Sequence, residues 1–364
     1  MMPPSNLTDW PKDSTGFYYE GSSTDYPYYY YPYYPDLPLP KPDDWLETAG
    51  TVTAVFYSLI IFISLTGNSF LLWVLVKHKG LESSANLLLL HLTISDLIFI
   101  LTLVPWAVYH VEGWIFGEMA CKVFSGTIFL GFYSYMMFLT CMTIHRYMAV
   151  VHALRTSLLD ARRGRLYTHL TCTFVWVASA SSSLPEVLYS ETETGFMGVS
   201  CNLNMSKEVE LIVNWLQILL FFLIPFLVIT FCYARILMTI QSCQMRNREH
   251  TVWLILCIVV GFFICWAPYN VTIFLHSLSA LWIPSMATFA WEKGLAYAYY
   301  VTHIMAYSHC CLNPLIQIFG GVKFRRYLLP SSGFSRMSER DRSHTFSSQG
   351  NPYQASAAGQ MTGV

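Results

Sequence analysis

Asp96 sits in the run LLHLTISDLIFILTLV, which holds only apolar residues, small hydroxyls and one histidine besides. A carboxylate in such company is costly to bury, so it is retained for a function or for a polar packing cluster. Few other groups in the apolar runs ionise or hydrogen-bond strongly. Arg146 stands at the end of one run, and Asn68 and Asn313 are amides whose helices could bring them to Asp96. Two readings are open: a hydrogen-bonded cluster that merely orders the helices, or a switch whose bonds differ between two packings. Catalysis has little to build on. Ser95 beside Asp96 is the one hint of a nucleophile and base, and no CxxC pair or histidine cluster points to a metal.

The elements that must position these groups are membrane helices. The chain has 364 residues, 54% hydrophobic and 12% charged, against about 25% charged in soluble domains. A spanning helix needs ~20 mostly apolar residues. Seven candidates run over 49–76, 85–110, 119–150, 166–188, 211–240, 251–279 and 294–319. The fourth is the least apolar because it contains ASASSS, whose small side chains suit close helix contact. Pro105, Pro185, Pro225, Pro268 and Pro314 fall inside spans, where each removes a backbone bond and bends its helix. Bent helices around a polar centre can hold two arrangements of similar energy. That is what passing a signal without passing matter requires.

Basic residues set the orientation. Lys77, Lys79, Arg155, Arg162, Arg163, Arg165, Arg246 and Arg248 follow spans one, three and five, and Lys323, Arg325 and Arg326 follow span seven. Acids fill the opposite islands: Glu112, Glu118, Glu186, Glu191, Glu193, Glu208 and Glu210. The N-terminus is therefore expected outside and the C-terminus in the cytoplasm. The opening MMPPSNLTDW is polar, so the first span is expected to act as an uncleaved signal. On this topology only Cys121 and Cys201, of ten cysteines, face the oxidising side. They are expected to form a disulfide that pins the loop before span five over the mouth of the bundle. Asn6 and Asn204 head outer glycosylation sequons, whereas the sequon at Asn270 lies inside span six and is discounted.

The expected organisation is an acidic Tyr/Pro-rich outer tail (1–48), a bundle (49–320), a short amphipathic membrane-surface helix (321–330) and a disordered cytoplasmic tail (331–364). The outer tail contains TDYPYYYYPYYPD. Asp25 makes Tyr26 the first candidate for sulfation, with Tyr18 and Tyr19 beside Glu20 next. Tyr28 opens the tyrosine run that follows, and the prolines keep the arm extended.

Motifs then appear in order, one per span. They are TGNSFLLWVLV with Asn68, LLHLTISDL with Asp96, Cys121 with His145-Arg146-Tyr147, Trp176, Pro225 with Tyr233, CWAPYN with Trp266 and Pro268, and NPLIQ with Asn313-Pro314. The chain resembles the rhodopsin-like G-protein-coupled receptors over about residues 50–328. HRYMAVVHA, AYSHCCLNP and the aromatics Tyr57, Trp106 and Tyr269 resemble the chemokine receptors among them, and His145 with HTVWLI and FGGVKFR resembles the XC, or lymphotactin, branch. A retinal-binding opsin needs a lysine deep in span seven, but Lys293 lies at its outer edge. An amine receptor needs an aspartate where Ile128 stands.

The resemblance implies an all-α integral membrane protein, a seven-transmembrane helix bundle with no enzymatic activity. It implies a plasma-membrane receptor for a small basic chemokine, signalling through an inhibitory-class heterotrimeric G protein, then arrestin after receptor kinases act. No nucleic acid is involved. The ligand would meet Tyr57, Trp106, Tyr269, His303 and Glu292; Asn68, Asp96, Trp266, Pro268, Asn313 and Pro314 would form the switch; His145, Arg146, Tyr147 and Tyr233 would couple to the G protein. No cofactor is expected beyond an allosteric sodium ion at Asp96, His309 and Asn313, which Tyr135 would crowd. This chain departs from the pattern at several points. His303 replaces a glutamate that meets the ligand's amino terminus, His145 replaces the acid that pairs with Arg146, and Gln317 replaces a tyrosine. Pro105 lies three residues after Thr102 rather than two, and the disulfide from tail to third outer loop is missing. His145 and Gln317 keep open a scavenger that internalises chemokine without G-protein turnover. A transporter would show internal repeats, and none is visible.

Overall fold

The computed structural model describes residues 44–79, 83–152, 161–195, 198–243, 246–282, 289–312 and 314–316. Residues 1–43 of the outer tail, with Asn6, Tyr26 and Tyr28, the surface helix expected at 321–330, the inner tail, Asn313 and Gln317 lie outside these residues, whereas 44–48, expected in the tail, open the first helix. The described chain is helical apart from one hairpin. The helices are α1 (Asp44–Val74), α2 (Ser84–Glu112), α3 (Glu118–Val151), α4 (Ala161–Ser182) and α5 (Leu184–Tyr189), then β1 (Ser190–Gly195) and β2 (Gly198–Leu203), then α6 (Lys207–Ile218), α7 (Ile224–Cys243), α8 (Arg246–Trp282) and α9 (Phe289–Tyr307).

Among the described residues, the segments Thr51–Lys77, Ser84–Glu112, Glu118–Val151, Lys207–Gln241 and Leu256–Ser279 are long and apolar enough to cross a membrane. The fourth span is α4 with α5, diluted by arginines and serines; the seventh is α9 and the 3₁₀ turn Ser308–Cys311. The helices overrun the apolar stretches by several residues, because their polar ends still close i to i−4 bonds. A π-helical turn, Leu219–Leu223, joins α6 to α7 within the fifth span. Pro225 follows it and has no N–H to give to Phe221, so the wider turn absorbs the mismatch.

The third span is the axis of the fold. Helix α3 touches α2, α4, α5, α7 and α8, and buries Phe132, Tyr133, Tyr135, Met136, Phe138 and Leu139. Helix α2 packs between α1 and α3. Gly131 permits that approach: a Cβ there would lie 2.9 Å from the Phe99 Cβ and 3.0 Å from its Cα. The outward faces keep large apolar side chains exposed, including Phe62, Phe174, Leu227 and Phe231, as a helix facing lipid does.

Candidate functional site

The β1–β2 hairpin covers one end of the bundle. Its strands pair antiparallel, with Thr192 opposite Cys201. Cys201 and Cys121 form the expected disulfide across 80 residues of chain, tying β2 to the start of α3. Trp114, Trp106, Tyr109 and Phe124 pack around it. The Trp114 backbone N–H donates to the Val199 carbonyl at 2.8 Å, and its indole N–H to the Gly117 carbonyl at 2.9 Å. Gly113 (φ 74°) and Gly117 (φ 80°) hold the left-handed turns on either side, which side chains other than glycine adopt at a cost. Asn204 is exposed just after β2, its amide 3.4 Å from Glu191, and Ser206 of the same sequon caps α6.

Beneath the hairpin, Tyr57, Tyr269 and His303 come together as the sequence led one to expect. The Tyr57 hydroxyl lies 3.4 Å from His303 Nδ1. The imidazole packs on Tyr307 at 4.0 Å, Tyr299 at 5.5 Å and Tyr269 at 5.7 Å between ring centroids. The ring contacts of Trp106 lie beside this group. The indole lies against Tyr109 and Trp114, 5.7 and 5.3 Å away, in the cluster around the disulfide. Pro105 lies inside α2, one residue before the tryptophan. Glu292 is on α9, and its side chain lies outside the described residues.

Below the aromatics is a buried polar centre. Asp96, Asn68, Ser95, Ser134 and His309 have no solvent exposure. The Asn68 amide donates to the Ser64 carbonyl at 3.0 Å and the Cys310 carbonyl at 3.1 Å, linking the first span to the last. Ser134 donates to Ser95 at 2.8 Å, linking α3 to α2. His309 Nε2 approaches Asp96 Oδ1 at 3.9 Å, while its Nδ1 faces the Ala306 carbonyl at 2.8 Å. Aromatic rings enclose this imidazole: Phe99 at 4.9 Å, Tyr135 at 5.0 Å, Trp266 at 5.2 Å and Phe262 at 5.6 Å. A sodium ion needs several oxygen ligands, as hard cations do. Of the three residues expected to hold the ion, Asp96 and His309 lie together here, with Tyr135 against the imidazole, and Asn313 is outside the described residues.

Trp266 stacks on Phe132 at 3.8 Å and sits two residues before Pro268, where α8 lacks a backbone bond. Its carbonyl accepts from the Asn270 amide at 2.9 Å, so that third sequon is buried. Pro314 packs against Gly67, where an added Cβ would come 2.8 Å from the proline Cγ. At the inner end, Tyr233 is buried, and neither its hydroxyl nor Arg146 Nε nor His145 Nδ1 has a hydrogen-bond partner among the described residues. Arg146 forms no ion pair there either. Tyr147 reaches His152 at 3.2 Å.

Glu186 departs from the sequence reading. Counted as an outer-loop acid, it is 1% exposed on α5, and its Oε1 accepts from the Tyr133 hydroxyl at 3.2 Å. The signal was present: LPEVLY continues the helical phase after Pro185, which sits at the start of α5 where its missing N–H costs nothing.

Comparison with known proteins follows the same lines. Residues 67–316 match the family described as 7 transmembrane receptor (rhodopsin family). The chain is 38% identical over 280 residues to Chemokine XC receptor 1 of Homo sapiens, covering 77% of this chain and 81% of that protein. It is 36% identical over 301 residues to C-C chemokine receptor type 8 of Homo sapiens, covering 81% and 83%. C-C chemokine receptor type 4 of Homo sapiens is 35% identical over 302 residues, covering 81% and 82%.

Proposed function

Because the chain belongs to the chemokine receptors of the rhodopsin family, we propose that it binds an XC-type chemokine and signals through an inhibitory-class G protein to direct cell migration. The observation that carries this reading is the Tyr57–His303–Tyr269 group beneath a disulfide-pinned hairpin. It is an aromatic recess below an outer cover, suited to a flexible peptide end. The N-terminal tail lies outside the cell and the basic loops inside. Sulfated Tyr26 and its neighbours give the tail fixed negative charge facing a basic ligand, which raises encounter rate and fixes register more than it adds affinity. Receptor kinases and arrestin act on the inner tail. The XC branch is favoured over the other two relatives by HTVWLI, FGGVKFR and His145.

A second reading, a scavenger, rests on one observation: Arg146 has no ion-pair partner among the described residues and His145 stands where an acid would hold it. One experiment separates them. Cells expressing the protein are given a panel of chemokines, XC-type first and C-C types next, while binding, uptake and cyclic AMP are followed. An XC-type ligand should bind and lower cyclic AMP. Uptake with unchanged cyclic AMP gives the scavenger instead, and a panel with no binder overturns both.

A further inference from the structure

The turn between the second and third spans carries an apolar surface that the described residues leave open. Residues 113–117 read GWIFG. Trp114 is buried against the disulfide, but Ile115 and Phe116 after it are exposed, Ile115 at 65%. Val111 closes α2 on one side of the turn, and Met119 and Val123 open α3 on the other; all three are exposed, Met119 at 74%. The turn is firmly held, since Trp114 bonds to the Val199 and Gly117 carbonyls. The exposure is therefore built into the fold. A cluster of large apolar side chains on a rigid turn lacks its partner in open water.

Length, continuity and charge identify that partner. Helix α2 has 29 residues, so at ~1.5 Å per residue it is about 43 Å long. A bilayer with its headgroup regions is ~40–45 Å thick. A helix that starts at the inner headgroups, just after the exposed Lys77, therefore ends among the outer ones, and the turn lies there too. Leu101, Val104 and Val111 are exposed at helical spacing along α2, so its lipid-facing stripe runs on into the turn. On α3, Thr127 follows Val123 by one turn and gives its hydroxyl proton to the Val123 carbonyl at 2.6 Å, as a hydroxyl away from water does. Glu118 and Lys122, neighbours of Met119 and Val123, pair with each other at 2.9 Å and so add little net charge beside the apolar patch. We propose that Ile115, Phe116 and Met119 form an interfacial anchor in the outer leaflet, where headgroups meet acyl chains, with lipid as their partner. Trp114 stands between this anchor and the Cys121–Cys201 bond, so the leaflet steadies the turn on which the hairpin is mounted. The anchor does not depend on which ligand the mouth takes.

The test places a naphthyl fluorescent amino acid singly at Ile115 or at Phe116 of the full-length protein, reconstituted in phosphatidylcholine nanodiscs. The same fluorophore at Glu193, exposed on β1, gives the reference for water, and at Phe62, exposed on α1, the reference for lipid. Two quenchers are compared: iodide in the buffer, and phosphatidylcholine carrying a nitroxide near the headgroup end of an acyl chain. At 115 and 116 the emission should lie to the blue of the Glu193 probe. Nitroxide lipid should remove several-fold more of it than iodide does. Iodide quenching at either position to the level seen at Glu193 overturns the proposal, because the turn then stands in water. Protection from both quenchers overturns it as well, because protein rather than lipid then covers the patch. The two positions are read independently, so a probe that prevents folding at one leaves the other to decide.

Discussion

Replacing Gly131 by alanine tests how tightly the second and third spans are fitted. The new methyl would lie 2.9 Å from the Phe99 Cβ and 3.0 Å from its Cα and N. These are backbone and near-backbone atoms of a packed helix, so no flexible tip can swing aside. The helices must part by several tenths of an ångström. Phe99 would carry the strain onward, since its ring rests on Tyr307 at 5.0 Å and His309 at 4.9 Å. Overpacking of this kind costs about 1–3 kcal/mol. Alanine returns roughly 0.5–1 kcal/mol through its better helix propensity, so the net loss should be near 1–2 kcal/mol. At roughly 2–4 °C per kcal/mol, the unfolding temperature of the purified protein should fall by a few degrees. Gly164 provides the opposite case within one molecule: nothing lies within 4 Å of a Cβ there, and it sits inside α4. Gly164→Ala should therefore raise the same temperature slightly. Thermal unfolding in detergent, followed by intrinsic fluorescence, reads both. If Gly131→Ala matches or exceeds wild type, the tight contact between α2 and α3 is not real and the reasoning fails.

Three further outcomes are expected. Cys201→Ser should leave the bundle able to reach the surface but abolish high-affinity ligand binding, because the hairpin loses its tie to α3; radioligand binding beside surface immunostaining measures both. His145→Asp should give Arg146 an ion-pair partner and lower ligand-free G-protein activity, read as basal nucleotide exchange in membranes. Tyr135→Ser should open space beside Asp96 and His309, so that ligand affinity becomes dependent on sodium; wild type, compared in sodium and choline salts, should show no such dependence.

The sequence made the covalent and topological features legible and the neighbour relations much less so. Cys121 and Cys201 could be paired because compartment alone singled them out, and the structure joins them. The spans could be counted because a bilayer demands length and apolarity. Asn68 was expected to reach toward Asp96, yet its amide protons go to the Ser64 and Cys310 carbonyls. Nothing in a linear sequence says which backbone carbonyl will turn toward a side chain. Trp106 packs on the disulfide cluster, and a motif match does not say which neighbouring rings a side chain will meet. Glu186 was misplaced because a charge count assigns residues to sides, whereas burial follows the helical phase.

The Asn68 amide also sets how the last span can move. Its two donors grip carbonyls on different helices, and every group involved is sealed from water. A small outward drift of Cys310 would leave an N–H and a C=O unpaired, each costing about 1–3 kcal/mol. Travel along that coordinate therefore has a detent. The amide resists small displacements of the last span and would yield only where another carbonyl comes within its reach.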